Sequence, residues 1–228
     1  VTSDKCYVNK EWVWGYREND QLGGYDPYSA SKAAAELIFS SYLDSYFKNL
    51  DRKVGIASVR AGNVIGGGDW SEGRLIPDCV NSLKNNKTIL LRKPLATRPW
   101  QHVLEPLSGY LLLAKQLYLE PSKINGSYNF GPEVKSNKTV KEVAKKIIQI
   151  FGKGKISTMD YSDISREATL LHLNCDKANN ILKWFPTWNY NETMETTINW
   201  YKEFFKGTNP IRITEDNIDS FMIKNSDD

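Results

Sequence analysis

The chain has 228 residues, which is enough for one large domain or for one and a half domains. Hydrophobic residues make up 40% of it and charged residues 25%, a composition that is typical of a globular protein and excludes a disordered chain. The net charge of +3 is small and scattered along the sequence, which argues against a nucleic-acid partner.

Neither the cysteines nor the apolar segments indicate an extracellular or a membrane protein. The three cysteines, Cys6, Cys79 and Cys175, are too far apart for a zinc-site motif or a disulfide framework, which predicts a reducing, cytoplasmic setting. The most apolar run, from Gly109 to Leu119, is interrupted by Lys115 and is too short to span a bilayer. No signal-peptide pattern occurs, and we expect no membrane contact.

The predicted elements begin with the end of a strand at Val1–Thr2, followed by a polar loop at Ser3–Lys5. A helix is predicted from Tyr28 to Phe47, because apolar residues recur there at spacings of three and four. The run Val54–Val59 is short, apolar and β-branched, which predicts a strand that is buried on both faces. A glycine-rich loop is predicted next, over Gly62–Gly73.

The second half of the chain continues this alternation of helices and strands. Thr139 and Glu142 match a capping box, which predicts an amphipathic helix that begins there and ends near Phe151. The acidic residues after Thr208 predict a weakly ordered tail. Further helices are predicted over residues 75–83, 104–119, 177–184 and 192–206, and extended segments over 88–91 and 127–130. Such alternation predicts an α/β protein with a mainly parallel sheet.

One candidate catalytic motif is the pair formed by Tyr28 and Lys32. Residues four positions apart lie on the same face of a helix, so the phenol and the ammonium point into one cleft. A phenol is a poor base at neutral pH, but a neighbouring ammonium stabilises the phenolate and makes it a usable general base. The bare spacing is also common on helix surfaces, where it has no catalytic role.

A second candidate is the triplet Ser3, Asp4 and Lys5, which follows the first predicted strand. Open α/β sheets bind their ligands at this position, beyond the carboxyl end of a strand. A hydroxyl, a carboxylate and an ammonium in succession supply a hydrogen-bond donor, an acid and a base or electrostatic group. A polar turn after a strand is the alternative interpretation.

Two further segments carry groups that suit a ligand. Arg60 and Asn63 lead into three consecutive glycines, which let the backbone approach a ligand closely, and the Asn63 amide both donates and accepts. Arg98 lies in the run RPWQH, where a guanidinium suits a phosphate and aromatic rings suit a sugar or a base. The alternatives are a flexible loop for the first segment and a basic surface turn for the second.

Taken together and in this order, these motifs resemble the extended short-chain dehydrogenase/reductase family, and within it the sugar-nucleotide epimerases and dehydratases. The resemblance runs from Val1 to about Gly207. It is carried by the segments VTSDKCY, EWVWGYRE, DPYSASK, SVRAGNVIGGGDW, RLIPD and RPWQHVLEPLSGYLLLA. The Asp-Lys sequence at positions 4 and 5, where most of these dehydratases carry Asp-Glu, implies the branch that acts on CDP-glucose.

The resemblance implies roles for individual residues. The implied catalytic residues are Ser3, Asp4, Lys5, Tyr28 and Lys32. The implied cofactor is NAD, with Thr2, Tyr28, Lys32 and Ala61 as its binding residues. The implied contacts with a nucleotide-sugar substrate are Asn63, Arg74, Leu75, Ile76, Arg98 and Asn129.

The fold implied is the carboxyl-terminal part of a doubly wound, Rossmann-like parallel sheet with a smaller substrate domain interleaved. Residues 1–68 and 100–132 are expected in the sheet domain, 69–99 and 133–207 in the substrate domain, and 208–228 in the acidic tail. A homodimer or higher homo-oligomer is also implied. The family's G-x-x-G-x-x-G fingerprint is absent and the chain begins without Met, so we expect on the order of a hundred residues to precede Val1.

The activity implied is conversion of a nucleotide-bound glucose to a 4-keto-6-deoxy sugar by internal oxidation, loss of water and re-reduction. In this reaction Lys5 is the C5 base only as a neutral amine; otherwise it holds a water or orients the ketone. A 4-epimerase or decarboxylase of the same family would share Tyr28, Lys32 and Asn63 but would need no acid at position 4, and a reductase is disfavoured for the same reason. A non-catalytic binding or dimerisation module is the remaining alternative.

Overall fold

The computed structural model describes residues 1–47, 54–158 and 170–227. Residues 159–169, part of the predicted substrate-domain segment, lie outside the described residues. The α-helices are α1 Pro27–Tyr42, α2 Leu75–Lys84, α3 Leu104–Leu119, α4 Pro121–Ile124, α5 Val140–Phe151, α6 Tyr190–Phe205 and α7 Pro210–Asp227. The strands are β1 Ala57–Ala61, β2 Val64–Ile65, β3 Ile89–Leu91, β4 Thr97–Pro99, β5 Gln101–His102, β6 Gly126–Phe130, β7 Asn137–Thr139 and β8 Ile156–Thr158.

The chain folds into two compact units, and each unit is assembled from three separate stretches of sequence. Unit 1 comprises Val1–Gly62, Glu105–Gly131 and Leu171–Pro186. Unit 2 comprises Asn63–Leu104, Pro132–Leu170 and Thr187–Asp228. These stretches differ from the predicted domain segments chiefly at residues 171–186, which join the unit that contains β1 and β6.

Unit 1 is built around the parallel pairing of β1 with β6, in which Ala57 lies opposite Gly126 and Ala61 opposite Phe130. The backbone N–H of Thr2 donates to the carbonyl of Val59 at 2.8 Å, so the first residues run alongside β1. Apolar side chains from the strands, from α3 and from a π-helical turn at 178–182 form the core: Val59, Leu113, Ile124, Tyr128, Phe130, Ala178, Leu182 and Trp184.

Unit 2 contains short strand pairs packed against α2, α5 and α6. Strands β2 and β5 pair in parallel, as do β3 and β8, whereas β4 and β7 are antiparallel. The helices bury one apolar face each because their hydrophobic residues recur at helical spacing. The centre of the core includes Val80, Leu83, Val143, Ile147, Met194 and Ile198. The prediction of an α/β protein with parallel strand pairs is confirmed.

Several predicted elements agree with the structure. Helix α3 has the predicted bounds, and α5 begins at the predicted capping box: the Thr139 side chain accepts from the Glu142 N–H, and the Glu142 side chain accepts from the Thr139 N–H. Gly152 ends α5 with φ of 90°, a left-handed conformation that glycine adopts without steric cost. Within the described residues, no helix is long and apolar enough to cross a membrane.

Three predicted elements differ from the structure. The strand predicted at 54–59 begins three residues later and ends two residues later, at 57–61, so Arg60, predicted to follow the strand, lies within it. The predicted glycine-rich loop contains β2, which pairs with β5. The prediction of a weakly ordered tail from residue 208 is wrong: these residues form α7, whose Ile213 and Phe221 are buried.

Candidate functional site

Ser3 caps a 3₁₀ turn, Asp4–Cys6, directly after Thr2, whose backbone N–H donates to β1. The Ser3 hydroxyl accepts from the Lys5 N–H at 3.2 Å and donates to the Asp4 carboxylate at 3.0 Å. The Lys5 ammonium lies 3.4 Å and 3.5 Å from the two carboxylate oxygens. Asp4 is 2% exposed, whereas the Lys5 side chain is 31% exposed. The turn therefore presents an amine backed by a buried carboxylate.

Helix α1 presents Tyr28 and Lys32 on successive turns. The helix begins at Pro27 because the Asp26 side chain accepts from the Ser29 N–H at 3.0 Å and caps its first turn. The Lys32 ammonium lies 5.6 Å from the centroid of the Tyr28 ring. Tyr28 is 54% exposed, so its phenol is accessible to a ligand.

A buried carboxylate joins these two segments. Glu36, one turn beyond Lys32 on α1, is fully buried and accepts from Arg60 at 2.6 Å, from Ser58 at 2.7 Å and from the Thr2 hydroxyl. Burial alone would raise the pKa of Glu36, but these hydrogen bonds lower it below its ordinary value. The sequence interpretation missed Glu36, since nothing local distinguishes it from other helical glutamates.

Arg60 extends the same network to the residues that follow the 3₁₀ turn. Its guanidinium donates to the Tyr7 hydroxyl at 2.7 Å and to the Glu18 carbonyl at 2.9 Å. The Tyr7 hydroxyl donates in turn to the Asn129 side chain at 2.7 Å. Thr2 before the turn and Tyr7 after it are thus both tied to the Glu36–Arg60 pair, which fixes the turn against α1.

Some predicted ligand contacts in unit 1 are occupied by protein groups. Asn129 is fully buried, and its two amide hydrogens go to the carbonyls of Tyr16 and Asn174, at 2.8 Å and 3.1 Å. The Thr2 hydroxyl donates to Glu36, and the side chain of Ala61 is buried at the end of β1. The structure therefore places these three residues behind the accessible groups rather than beside them.

The free cysteine in the 3₁₀ turn is not a nucleophile candidate. Cys6 follows Lys5 directly and is fully buried. Burial raises the pKa of its thiol to about 12, so the thiol stays protonated at neutral pH. The chemistry of the turn therefore rests on Asp4 and Lys5.

In unit 2 the predicted substrate contacts lie on different elements. Asn63 precedes β2, and its carbonyl accepts from the Gln101 N–H at 3.2 Å, so its backbone is fixed to β5. Arg98 lies in β4 and is largely buried, with one guanidinium nitrogen donating to the Thr97 carbonyl at 2.7 Å. Arg74 occupies the position before the first turn of α2 and is exposed.

A cavity of about 510 Å³ lies beside the first turn of α2. Leu75 contributes to its wall, whereas Ile76 is only 3% exposed and packs in the core of unit 2. The lining also carries three cations that the sequence interpretation missed, Lys87, Arg92 and Lys93, against one carboxylate, that of Asp78. The adjacent basic residues at positions 92 and 93 are the sequence feature that could have indicated these cations. Apolar walls with cations at the edge suit a ring that carries phosphate.

The comparisons with known proteins identify the family of the chain. Residues 1–197 match the family described as GDP-mannose 4,6 dehydratase, and the chain therefore belongs to that family. Among curated relatives, the chain is 46% identical over 225 residues to a CDP-glucose 4,6-dehydratase of Salmonella typhimurium, covering 97% of this chain and 63% of the relative. It is 26% identical to the human dTDP-D-glucose 4,6-dehydratase, covering 87% of this chain and 56% of the relative.

Among solved structures, the chain is similar to dTDP-glucose 4,6-dehydratase from Bacillus anthracis in complex with NAD. The TM-score is 0.72 at 25% identity, and the match covers 89% of this chain and 60% of that chain. A UDP-glucuronic acid 4-epimerase from Bacillus cereus gives a TM-score of 0.74 at 15% identity, covering 89% and 60%. The fold is thus that of sugar-nucleotide dehydratases and epimerases. The chain spans about three-fifths of the length of the relatives that it matches.

Proposed function

We propose that the protein is an NAD-dependent dehydratase that converts CDP-glucose to CDP-4-keto-6-deoxyglucose. The observation that carries this proposal is the Asp4–Lys5 pair, at 3.4 Å, on a turn that is tied through Glu36 to the helix bearing Tyr28 and Lys32. An epimerase needs the Tyr28 and Lys32 pair but does not need an acid at position 4. The 46% identity to a CDP-glucose 4,6-dehydratase supports the same choice of reaction and of nucleotide.

Oxidation at C4 of the sugar requires a base at the 4-hydroxyl. Tyr28 takes this proton as a phenolate, and the Lys32 ammonium beside its ring stabilises the negative charge. The accessibility of Tyr28 is consistent with this role, since the hydroxyl has to reach the substrate. The resulting 4-ketone acidifies the proton on C5.

Elimination of water needs a proton for the departing 6-hydroxyl and a group that removes the C5 proton. Asp4 supplies the first when its carboxyl is protonated, and Ser3 orients it through the 3.0 Å hydrogen bond. Lys5 either removes the C5 proton as a neutral amine or, as an ammonium, holds a water or orients the ketone.

NAD, when bound, supplies the hydride acceptor at C4 and the hydride that returns to C6, so the net reaction is loss of water alone. Tyr28 and Lys32 fit the reacting end of this cofactor because both polar groups lie outside the buried core of unit 1. Thr2 and Ala61 would contact the cofactor through their backbones. The Thr2 hydroxyl donates to Glu36, and the side chain of Ala61 is buried.

The residues of unit 2 are proposed to hold the nucleotide part of the substrate. Arg98 and the Asn63 amide suit the diphosphate, and Arg74 lies next to the cavity beside α2. The cationic walls of that cavity favour an anionic ligand. A cytoplasmic location and a homodimer or higher homo-oligomer stay predictions.

The decisive experiment incubates the natural full-length protein with CDP-glucose and a catalytic amount of NAD. We expect a 4-keto-6-deoxy product, identified by NMR and by the loss of one water in the mass spectrum, without net reduction of NAD. dTDP-, UDP- and GDP-glucose are tested in parallel, and we expect CDP-glucose to be used most efficiently. Accumulation of a C4 epimer would show that the protein is an epimerase and not a dehydratase. No turnover of any sugar nucleotide would favour a binding module.

A further inference from the structure

The glycine-rich segment between β2 and α2 is held against the carboxyl-terminal half of α6. This segment, Gly66–Trp70, lies between two proposed substrate contacts, Asn63 and Arg74. A loop of consecutive glycines has many accessible backbone conformations when nothing restrains it. Its conformation here is therefore set by the residues that contact it.

The first restraint is a buried tyrosine hydroxyl. Tyr201 is fully buried on α6, and its hydroxyl donates to the Asp69 carbonyl at 2.7 Å and lies 3.3 Å from the Gly66 carbonyl. These carbonyls belong to the two ends of the same short loop. One side chain therefore closes the loop by binding both ends.

The second restraint is packing of Gly67 against an indole. A Cβ atom on Gly67 would lie 2.0 Å from Cγ of Trp200, so glycine is the residue that allows this close approach. Trp200 is 5% exposed, and its indole N–H donates to the Thr214 hydroxyl of α7 at 3.0 Å. The indole is thus fixed from both sides.

Trp70 completes the arrangement at the end of the loop. Its ring centroid lies 5.2 Å from that of Tyr201 and 5.3 Å from that of Phe204, with an edge-on geometry against the tyrosine. Aromatic pairs at such distances are favourable beyond the area that they bury. The loop is therefore held at its start, its middle and its end by one face of α6.

We propose that Trp200 and Tyr201, hereafter the α6 latch, are positioning residues that set the conformation of Gly66–Trp70 and so determine the affinity for the nucleotide part of the substrate. This inference rests on the proposed function, because it takes Asn63 and Arg74 as nucleotide contacts. A loop that is ordered before binding loses less conformational entropy when the ligand binds. The latch acts through the loop and touches no reacting atom.

The test compares two tyrosines of α6 in the natural full-length protein, with CDP alone as the probe in calorimetry. Tyr201→Phe removes the hydroxyl that binds the loop, and we expect a rise in the Kd for CDP of about tenfold. Tyr190→Phe is the matched control: its hydroxyl is buried and has no hydrogen-bond partner among the described residues. We expect its Kd to equal that of the wild type.

A second variant tests the packing restraint independently of the hydroxyl. Gly67→Ala introduces the clash with Trp200 and is expected to raise the Kd for CDP by about tenfold or more. Trp200→Leu removes the indole from the other side of the same contact and is expected to raise the Kd for CDP as well. A Kd equal to that of the wild type in Trp200→Leu would overturn the packing restraint. Thermal unfolding of each variant identifies any that fails to fold.

Steady-state kinetics then separate positioning from chemistry. We expect Tyr201→Phe to raise KM for CDP-glucose by about the same factor as the Kd, with kcat changed less than twofold. Wild-type binding of CDP by both Tyr201→Phe and Gly67→Ala would overturn the latch while leaving the proposed function intact. A wild-type protein that does not bind CDP would overturn the proposed function and the latch together.

Discussion

The guanidinium of Arg60 donates to the carboxylate of Glu36 over 2.6 Å, and both side chains are at most 2% exposed. The pair links β1 to α1 in the interior of unit 1. A buried charge is tolerated when its partner and its remaining hydrogen bonds are present, and Glu36 has further donors in Ser58 and Thr2. The orientation of the helix that carries Tyr28 therefore depends on a contact that never meets the ligand.

Removing one charge of this pair should be costly. Glu36→Gln keeps the size of the side chain but leaves the Arg60 charge buried without its counter-ion, and we expect a loss of about 3–5 kcal/mol in the free energy of unfolding. Urea denaturation monitored by circular dichroism measures it. Glu195→Gln, on the exposed side of α6, is the control and should change stability by about 0.5 kcal/mol or less. Equal stabilities for both variants would contradict the assignment.

The same contact predicts an acid sensitivity. The pKa of Glu36 is below its ordinary value in the folded protein, so its contribution is complete above the pKa of an unfolded glutamate, about 4.3. That contribution is lost as the pH falls below this value and the carboxylate is protonated. We expect the wild type to lose stability more steeply than Glu36→Gln below about pH 4. Parallel curves for the two proteins would rule out this contribution.

A separate pH dependence is expected from His102 in unit 2. Burial lowers its pKa to about 4, whereas an unfolded histidine titrates near 6.5. The unfolded chain therefore binds more protons between these values, and stability falls as the pH falls through this window, by up to about 3 kcal/mol.

Replacement of His102 tests this directly. His102→Asn keeps an acceptor for the Leu104 N–H, which the imidazole accepts at 3.3 Å, but cannot be protonated in this range. Urea unfolding from about pH 4 to about pH 7 should then show a flatter dependence than the wild type. Burial also lowers the pKa of His172, so His172→Asn should flatten the wild-type dependence in part and leave the His102 contribution in place. If the pH dependence of stability in His102→Asn equals that of the wild type, His102 is not its source.

Tyr28→Phe tests the proposed base. The variant lacks the group that removes the proton from the 4-hydroxyl, and we expect turnover to fall by about 10²–10⁴-fold. Binding of CDP-glucose should stay within a few-fold, because the nucleotide is proposed to be held by unit 2. Tyr118→Phe, whose ring is 88% exposed on α3, is the control and should keep full activity. Unchanged turnover in Tyr28→Phe would exclude it as the base.

Asp4→Asn separates oxidation from elimination. The amide keeps the shape of the carboxylate but has no proton to give to the departing 6-hydroxyl, whereas oxidation at C4 depends on Tyr28 and Lys32. We expect reduced nicotinamide to accumulate, visible by its absorbance, while product formation falls by orders of magnitude. Wild-type product formation in this variant would contradict the proposed role.

The role of Lys5 is resolved by solvent exchange. If Lys5 removes the C5 proton, Lys5→Ala should abolish exchange of that proton with deuterated solvent as well as product formation. If Lys5 instead holds a water or orients the ketone, exchange should persist at a reduced rate. Exchange that persists in Lys5→Ala would exclude Lys5 as the C5 base. NMR of the sugar after incubation in deuterated buffer distinguishes the two.

Local signals predicted the elements whose limits are set locally. The capping box at Thr139 and Glu142 predicted the start of α5 correctly, because the hydrogen bonds that cap the first turn of a helix are made by residues within that turn. The predicted polar turn at Ser3–Lys5 and the helical pair Tyr28 and Lys32 were placed correctly as local structures for the same reason.

The sequence patterns did not predict features that depend on contacts between residues far apart in the chain. Arg60 was predicted to follow the strand, but it lies inside β1, where Glu36, 24 positions away, supplies its buried counter-ion. The acidic composition after residue 208 concealed a helix whose Ile213 and Phe221 are buried, the latter against Trp188. The partners of the Asn129 amide, the carbonyls of Tyr16 and Asn174, are likewise residues that no local pattern connects to it, and a substrate contact at Asn129 stays a prediction.

The interleaving of the two units has a consequence for how the chain is made. Ser58 and Ser127, hydrogen-bonded between β1 and β6, are 69 positions apart, and unit 1 also needs the stretch Leu171–Pro186. By the time a ribosome has released that stretch, two of the three stretches of unit 2 have been released as well. Unit 1 is complete only once Pro186 has been made, and unit 2 only once Thr187–Asp228 has followed, so neither unit finishes folding before most of these stretches have been synthesised.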